Sequence, residues 1–148
     1  MPEPDDILRS HFLILWKYER WANRQWLEAL PGFKNREEAD RVFRHIIGCY
    51  ADWAMDLDAS LKFTEEDIII PDSMEPLYGF WEAVSARWPL DHTTETTDSG
   101  HLTIGEIVQH VLNHSTYHRG QLRGLAQAEG WDGFPETDFA RWALRHRQ

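Results

Sequence analysis

The sequence predicts an all-α protein of four long helices followed by a short fifth, and three observations predict it. Apolar residues recur every three or four positions over long stretches, the period of one helix face. Two of those stretches open on a capping-box spacing, Asn35 with Glu38 and Thr103 with Glu106. Residues that end helices, Pro31-Gly32, Pro89 and Gly130, close three of them.

The first helix is expected from Asp5 to Leu30, with Ile7, Leu8, Phe12, Leu15, Trp16, Trp26, Leu27 and Leu30 as its apolar set. The second is expected from about Arg36 to Leu61, with Val42, Phe43, Ile46, Ile47, Tyr50, Trp53 and Leu57 in one broad stripe. LKFTEEDIIIPDS, residues 61–73, holds a brief β-like apolar run and a proline and reads as a connection between two ends of the fold. A third helix follows from about Met74 to Trp88. The stretch LDHTTETTDSGHLT, residues 90–103, is polar, Thr-rich and without period, so it reads as a mobile loop or short extended arm. The fourth helix has the cleanest pattern, from the Thr103 cap to Glu129 and Gly130, about 39 Å at 1.5 Å per residue. After a GFPE turn a short helix spans Asp138 to Arg145, presenting Phe139, Trp142 and Leu144.

The 148 residues suffice for one domain with its own core and are too few for two. A net charge of −10, with the bases scattered among more numerous acids, argues against a partner bound through nucleic-acid phosphates. No apolar run approaches the roughly 18 residues of a membrane span, and the opening MPEPDDILRS lacks the order of a signal peptide, so a cytoplasmic protein without membrane partner is expected. The single cysteine, Cys49, fits a reducing compartment.

Chemistry concentrates on the fourth helix. His114 and His118 lie one turn apart, a spacing at which two imidazoles can grip one ion. His118 falls within the apolar stripe of Ile104, Ile107, Val108, Val111, Ser115, Leu122, Leu125 and Ala126; His114 lies at its edge, and Arg119 points elsewhere. A third ligand must come from a facing helix. The candidates are His11, His45, His110 and Cys49, with Asp52 and Asp56 as carboxylates. His110, about 12 Å along the axis from His118, is too distant for simple sharing, whereas His45 borders the apolar stripe of its helix. Cys49 fits a small buried hydrophobe better than a ligand. Trp16, Tyr50, Trp53 and Tyr117 are candidates to line an apolar pocket. Gly120 and Gly124, with Asn113 and Thr116, form a face opposite the histidines on which another helix can approach closely.

The string NHSTYHRGQ (Asn113 to Gln121), the segment HIIGCYADW from His45 and the stretch YERWANRQWLEAL (Tyr18 to Leu30) give the sequence a resemblance to the DinB-like (DinB/YfiT-like) metal-binding superfamily. The resemblance covers most of the chain but not residues 61–100. It implies a four-helix bundle with a long crossover between helices 2 and 3, often dimeric. It also implies a divalent metal on His45, His114 and His118, with Asn113, Arg119 and Gln121 supporting the ligand helix. Three imidazoles suit Zn, Ni, Fe and Cu alike; the expected ion is Zn2+ or Ni2+, with Fe2+ or Mn2+ as further options. Members of the superfamily include S-transferases and isomerases that use low-molecular-weight thiols. The resemblance therefore implies a metal-dependent enzyme that activates a thiol or water toward a small-molecule substrate, the alternative being a stress-related metal binder without catalysis.

Overall fold

The computed structural model describes residues 1–64, 71–97 and 99–146, with residues 71–73 described in backbone only. Among the described residues it is mostly helical. In order come α1 (Pro4–Ala29), a 3-10 turn (Leu30–Gly32), α2 (Arg36–Leu57), α3 (Pro71–Arg87), strands β1 (Thr93–Glu95) and β2 (His101–Thr103), α4 (Ile104–Ala128) and α5 (Phe139–His146). The apolar run Ile68 to Ile70 lies outside the described residues.

The helix ends follow local chemistry. Asn35 accepts from the Glu38 amide at the start of α2, and Thr103 and Glu106 exchange bonds in a complete capping box at the start of α4. At the other end of α4, Gly130 adopts φ 74°, and the Trp131 and Gly130 amides return to the carbonyls of Ala126 and Gln127. That is a Schellman closure, and its left-handed residue favours glycine. Helix α2 stops at Leu57, four residues before the expected Leu61, because the Asp58 carboxylate accepts from both the amide and the hydroxyl of Ser60, at 3.0 and 2.6 Å. This turn competes with the helix for its backbone. Helix α3 begins at Pro71, ahead of the expected Met74, with a proline at its first position.

The Thr-rich stretch expected as a loop or extended arm contains a small antiparallel hairpin, with Thr93 opposite Thr103 and Glu95 opposite His101. Threonine is β-branched and suits a strand. The hairpin is tied to the start of α4, where the Ile104 and Gly105 amides donate to the carbonyls of His92 and Leu90.

Helices α1 to α4 share one core in which α1 packs chiefly on α3 and α2 chiefly on α4, with α1 also touching α4 and α2 touching α3. Trp16, Trp26 and Trp81 are fully buried. Trp16 stacks on Trp81 at 5.7 Å and donates to Ser85. Burying one such indole contributes about 4–6 kcal/mol of gross hydrophobic stabilisation. Ile7 and Leu8, expected in the apolar set of the first helix, are 58% and 41% exposed, because the core-facing stripe of α1 begins at Phe12. Helix α5 folds back on α1, placing Trp142 against Tyr18 and Ala22. No helix among the described residues is long and apolar enough to cross a membrane.

Candidate metal centre

Helices α2 and α4 run antiparallel. Glu129 at the end of α4 accepts from the amides of Lys34 and Asn35 ahead of α2, at 2.8 and 2.9 Å. Further along, His118 meets His45, and His110 meets Trp53. His114 and His118, stacked one turn apart on α4, therefore both face His45. The three residues each offer a ligand atom within 4.8 Å of the other two, and among the described residues they are the one such group of three. His45 and His114 bring their Nε2 atoms to 3.1 Å. Two nitrogens held about 2.0–2.1 Å from a common ion lie roughly 2.9–3.4 Å apart, so the donor set fits a shared cation.

The electrostatics suit that chemistry as well, since a metal needs neutral imidazoles. His114 is pushed down to about 4 by burial and then by its neighbours His118, His45 and His110. His45 is also held below its ordinary value, by burial first and then by His118 and Arg41, with Asp52 opposing. His118 Nδ1 lies 2.8 Å from Gln121 Oε1. That contact places the proton on Nδ1 and leaves Nε2 free as a donor to a metal. His114 Nδ1 is buried without a hydrogen-bond partner. The centre opens to solvent on the side of His45, which is exposed.

The other candidate ligands stand apart. His110 touches Trp53 and sits 5.9 Å, centroid to centroid, from His114, outside the converging trio. The Cys49 thiol is pushed up to about 12 by burial and by Asp52, so it stays protonated and behaves as a packed hydrophobe. Asp52 and Asp56 line a separate cleft with Trp53 and Thr97, and His11 faces α5 from the far side of α1. Trp16 and Tyr50, expected as pocket residues, are core residues 0% and 1% exposed. Only Trp53 and Tyr117 of that set border the histidines, Trp53 through His110 and Tyr117 through His118. Asn113 bonds Gln109 on the exposed surface of α4. A Cβ on Gly120 or Gly124 would meet nothing within 4 Å, so among the described residues no helix approaches closely at either glycine.

Arg119, expected off the apolar stripe of α4, is nonetheless buried at 4% exposed, paired through both terminal nitrogens with Glu19 of α1 at 2.7 and 2.9 Å. Its Nη1 also reaches Asn23 Oδ1 and Ser115 Oγ, at 2.8 and 2.6 Å. Asn23 in turn donates to the hydroxyls of Tyr50 and Tyr78, and Tyr50 donates to Glu19. Burial, reinforced by Glu19, keeps the Tyr50 phenol protonated. Ser115 and Arg119 follow His114 and His118 by one residue each, so this network grips α4 on the side that turns the histidines toward α2. Glu19 and Asn23 carried a legible signal: they continue the core spacing of Phe12 and Trp16 with polar residues.

Comparison with known proteins agrees with the geometry. The sequence model of the DinB family matches residues 1–135. Protein DinB of Bacillus subtilis (strain 168) is similar at 26% identity over 154 residues, covering 84% of this chain and 89% of the relative. No solved structure matches.

Proposed function

Because the chain belongs to the DinB family, we propose that it binds one divalent transition metal through His45, His114 and His118 and uses that ion to activate a thiol or a water molecule. The observation that carries this reading is the convergence of three imidazole nitrogens from two helices within 4.8 Å, with no carboxylate or thiol of the described residues joining them. Three protein ligands with a solvent-open side is the arrangement of catalytic and not of structural zinc-type sites. A bound ion of this kind lowers the pKa of a coordinated water or thiol toward neutrality.

The chain's own residues prepare the site. Burial keeps His45 and His114 unprotonated, Gln121 fixes the ring of His118, and Tyr117 stands against His118, with Trp53 farther along against His110, as contacts for a small electrophilic substrate. Zn2+ or Ni2+ is the preferred ion, with Fe2+ or Mn2+ as alternatives. A low-molecular-weight thiol is the proposed co-substrate of an S-transferase-like reaction, with hydrolysis as the second form of the same chemistry. The proposed setting is a cytoplasmic homodimer. Each copy is read as one domain, a four-helix bundle whose connection from α2 to α3 is the long crossover.

Elemental analysis of untagged protein tests the site. About one equivalent of metal in the wild type and none in His118→Ala is expected; no metal in either removes the reading. Metal-dependent transfer from a panel of low-molecular-weight thiols supports the enzyme, whereas metal binding without turnover across thiol and hydrolase panels leaves a binding protein. Gln121 is exposed, so Gln121→Ala should leave the fold intact. It should weaken metal affinity 10–100-fold in a chelator competition, the usual cost of losing a ligand's hydrogen-bond partner.

A further inference from the structure

The face of α4 opposite the histidines carries a glycine that helix packing does not explain. Glycine is costly inside a helix, yet a Cβ on Gly120 would meet nothing within 4 Å. The open space there belongs to a cleft of about 360 Å³ between α1, α4 and the segment that leads into α5. That volume falls in the range of small-molecule sites. None of the three converging histidines lines it, since Gly120 follows His118 by two residues and so lies about 200° around the helix.

The two walls of the cleft differ in chemistry. On α4, Asn113, Thr116, Gly120 and Arg123 fall at i, i+3, i+7 and i+10, along one face. Asn113 Oδ1 accepts from Gln109 at 2.9 Å, which leaves its Nδ2 to donate. Thr116 Oγ1 accepts from the buried Arg119 guanidinium at 3.2 Å, which leaves its own proton to donate. Arg123 gives Nη1 to Glu136 at 3.2 Å, an exposed pair of the kind that contributes little, and keeps its other nitrogens as donors. Three side chains thus donate around a gap at Gly120, about 6 Å along the axis from Thr116 and about 4.5 Å from Arg123. The facing wall is apolar, built from Leu15 and Tyr18 of α1 with Pro135 and Phe139. Tyr18 meets Phe139 edge to face at 5.2 Å, and the Tyr18 hydroxyl and Trp26 indole pin Thr137 through its carbonyl and hydroxyl. Of the two carboxylates lining the cleft, Glu19 is neutralised by Arg119, and Asp138 lies 3.9 Å from Arg141.

We propose that this cleft binds a small aromatic carboxylate, at a site separate from the metal centre. The carboxylate lies over Gly120 and accepts from Asn113, Thr116 and Arg123, while the ring packs against Leu15, Tyr18 and Phe139. A neutral molecule of the same shape forfeits the charge-assisted bonds to this wall, and a side chain at position 120 takes the carboxylate's place.

Isothermal titration calorimetry of the full chain with phenylacetate, and with 2-phenylethanol as the neutral counterpart, tests this with and without a chelator. Wild type is expected to bind phenylacetate with Kd of about 1 mM or tighter in both conditions, and 2-phenylethanol at least about tenfold more weakly. Gly120→Leu should eliminate binding while melting no lower than wild type, because leucine is the better helix former. Arg123, 43% exposed at the side chain, offers a second variant that spares the core. Arg123→Gln should weaken phenylacetate about tenfold and leave 2-phenylethanol within about twofold. No saturable binding up to about 10 mM, equal affinity for the alcohol, or unchanged affinity in a folded Gly120→Leu or in Arg123→Gln overturns the proposal. Binding that disappears with the chelator belongs to the metal centre and overturns it too.

Discussion

Replacing Arg119 with methionine is expected to destabilise the protein by about 3–5 kcal/mol, the cost of breaking one side of a buried ion pair. Arg119 and Glu19 are 4% and 2% exposed at the side chain. Burial works against the guanidinium charge, but the adjacent Glu19 outweighs it and holds the proton on. Without the arginine, Glu19 keeps only Tyr50 as a hydrogen-bond donor among its contacts here, and the carboxylate lies uncompensated in the core. Asn23 and Ser115 lose their shared partner as well. For a chain of this size the midpoint of thermal unfolding should fall by roughly 10 °C. The double replacement Glu19→Leu with Arg119→Met should recover much of the loss, since a buried pair exchanged for apolar residues is often near neutral. Urea unfolding of wild type and the two variants measures both effects. A single variant within about 1 kcal/mol of wild type would mean that solvent reaches the pair.

The second large effect concerns the metal and its dependence on acidity. At a free metal concentration a thousandfold above Kd, binding should stabilise the folded chain by about 4 kcal/mol, and His114→Ala should eliminate that gain. Stability of the metal-free protein should also fall on acidification. An ordinary imidazole titrates near 6.5, whereas His114 in the folded chain is held down to about 4. Between those values the unfolded chain binds a proton that the folded chain refuses, so stability is present above about pH 6.5 and is lost as the pH falls toward 4. His45, shifted in the same direction, adds to the slope. Chelator-treated wild type and His114→Ala, compared by thermal unfolding at pH 7 and pH 5, should differ in slope, the variant being flatter. Parallel slopes would mean that His114 protonates freely in the folded chain.

What could be read from the sequence was what local chemistry determines. The capping box at Thr103, the glycine stop at Gly130 and the one-turn spacing of His114 and His118 each depend on a few adjacent residues, and the structure places each as expected. The third histidine was harder. Axial distance set His110 aside and His45 bordered the apolar stripe of its helix, but among His45, Cys49, Asp52 and Asp56 on α2 it is the register against α4 that brings His45 to His114 and His118. Arg119 was misplaced for a related reason: a helical wheel sorts apolar from polar, and a buried cation looks like a surface residue until Glu19, one hundred positions away, is seen to neutralise it. Ile7 and Leu8 err the other way, as apolar residues on a continuous helix whose neighbouring helices do not reach that far. The hairpin at residues 93–103 went unread because its strands are three residues each, too short for an alternating pattern to declare itself.

The link from Glu129 to the amides of Lys34 and Asn35 works as a datum line for all three histidines. Asn35 stands ten residues before His45, and Glu129 stands eleven after His118. At 1.5 Å per residue the two helices measure off about 15 and 16.5 Å from that shared origin. Two rulers read from a common zero in the same direction bring His45 and His118 level, with His114 four graduations, about 6 Å, beyond. An insertion or deletion of a single residue in either span would slide one scale against the other by ~1.5 Å and swing its histidine by about 100°. The distance from the clamp to the site is therefore as much a part of the candidate metal centre as the imidazoles are.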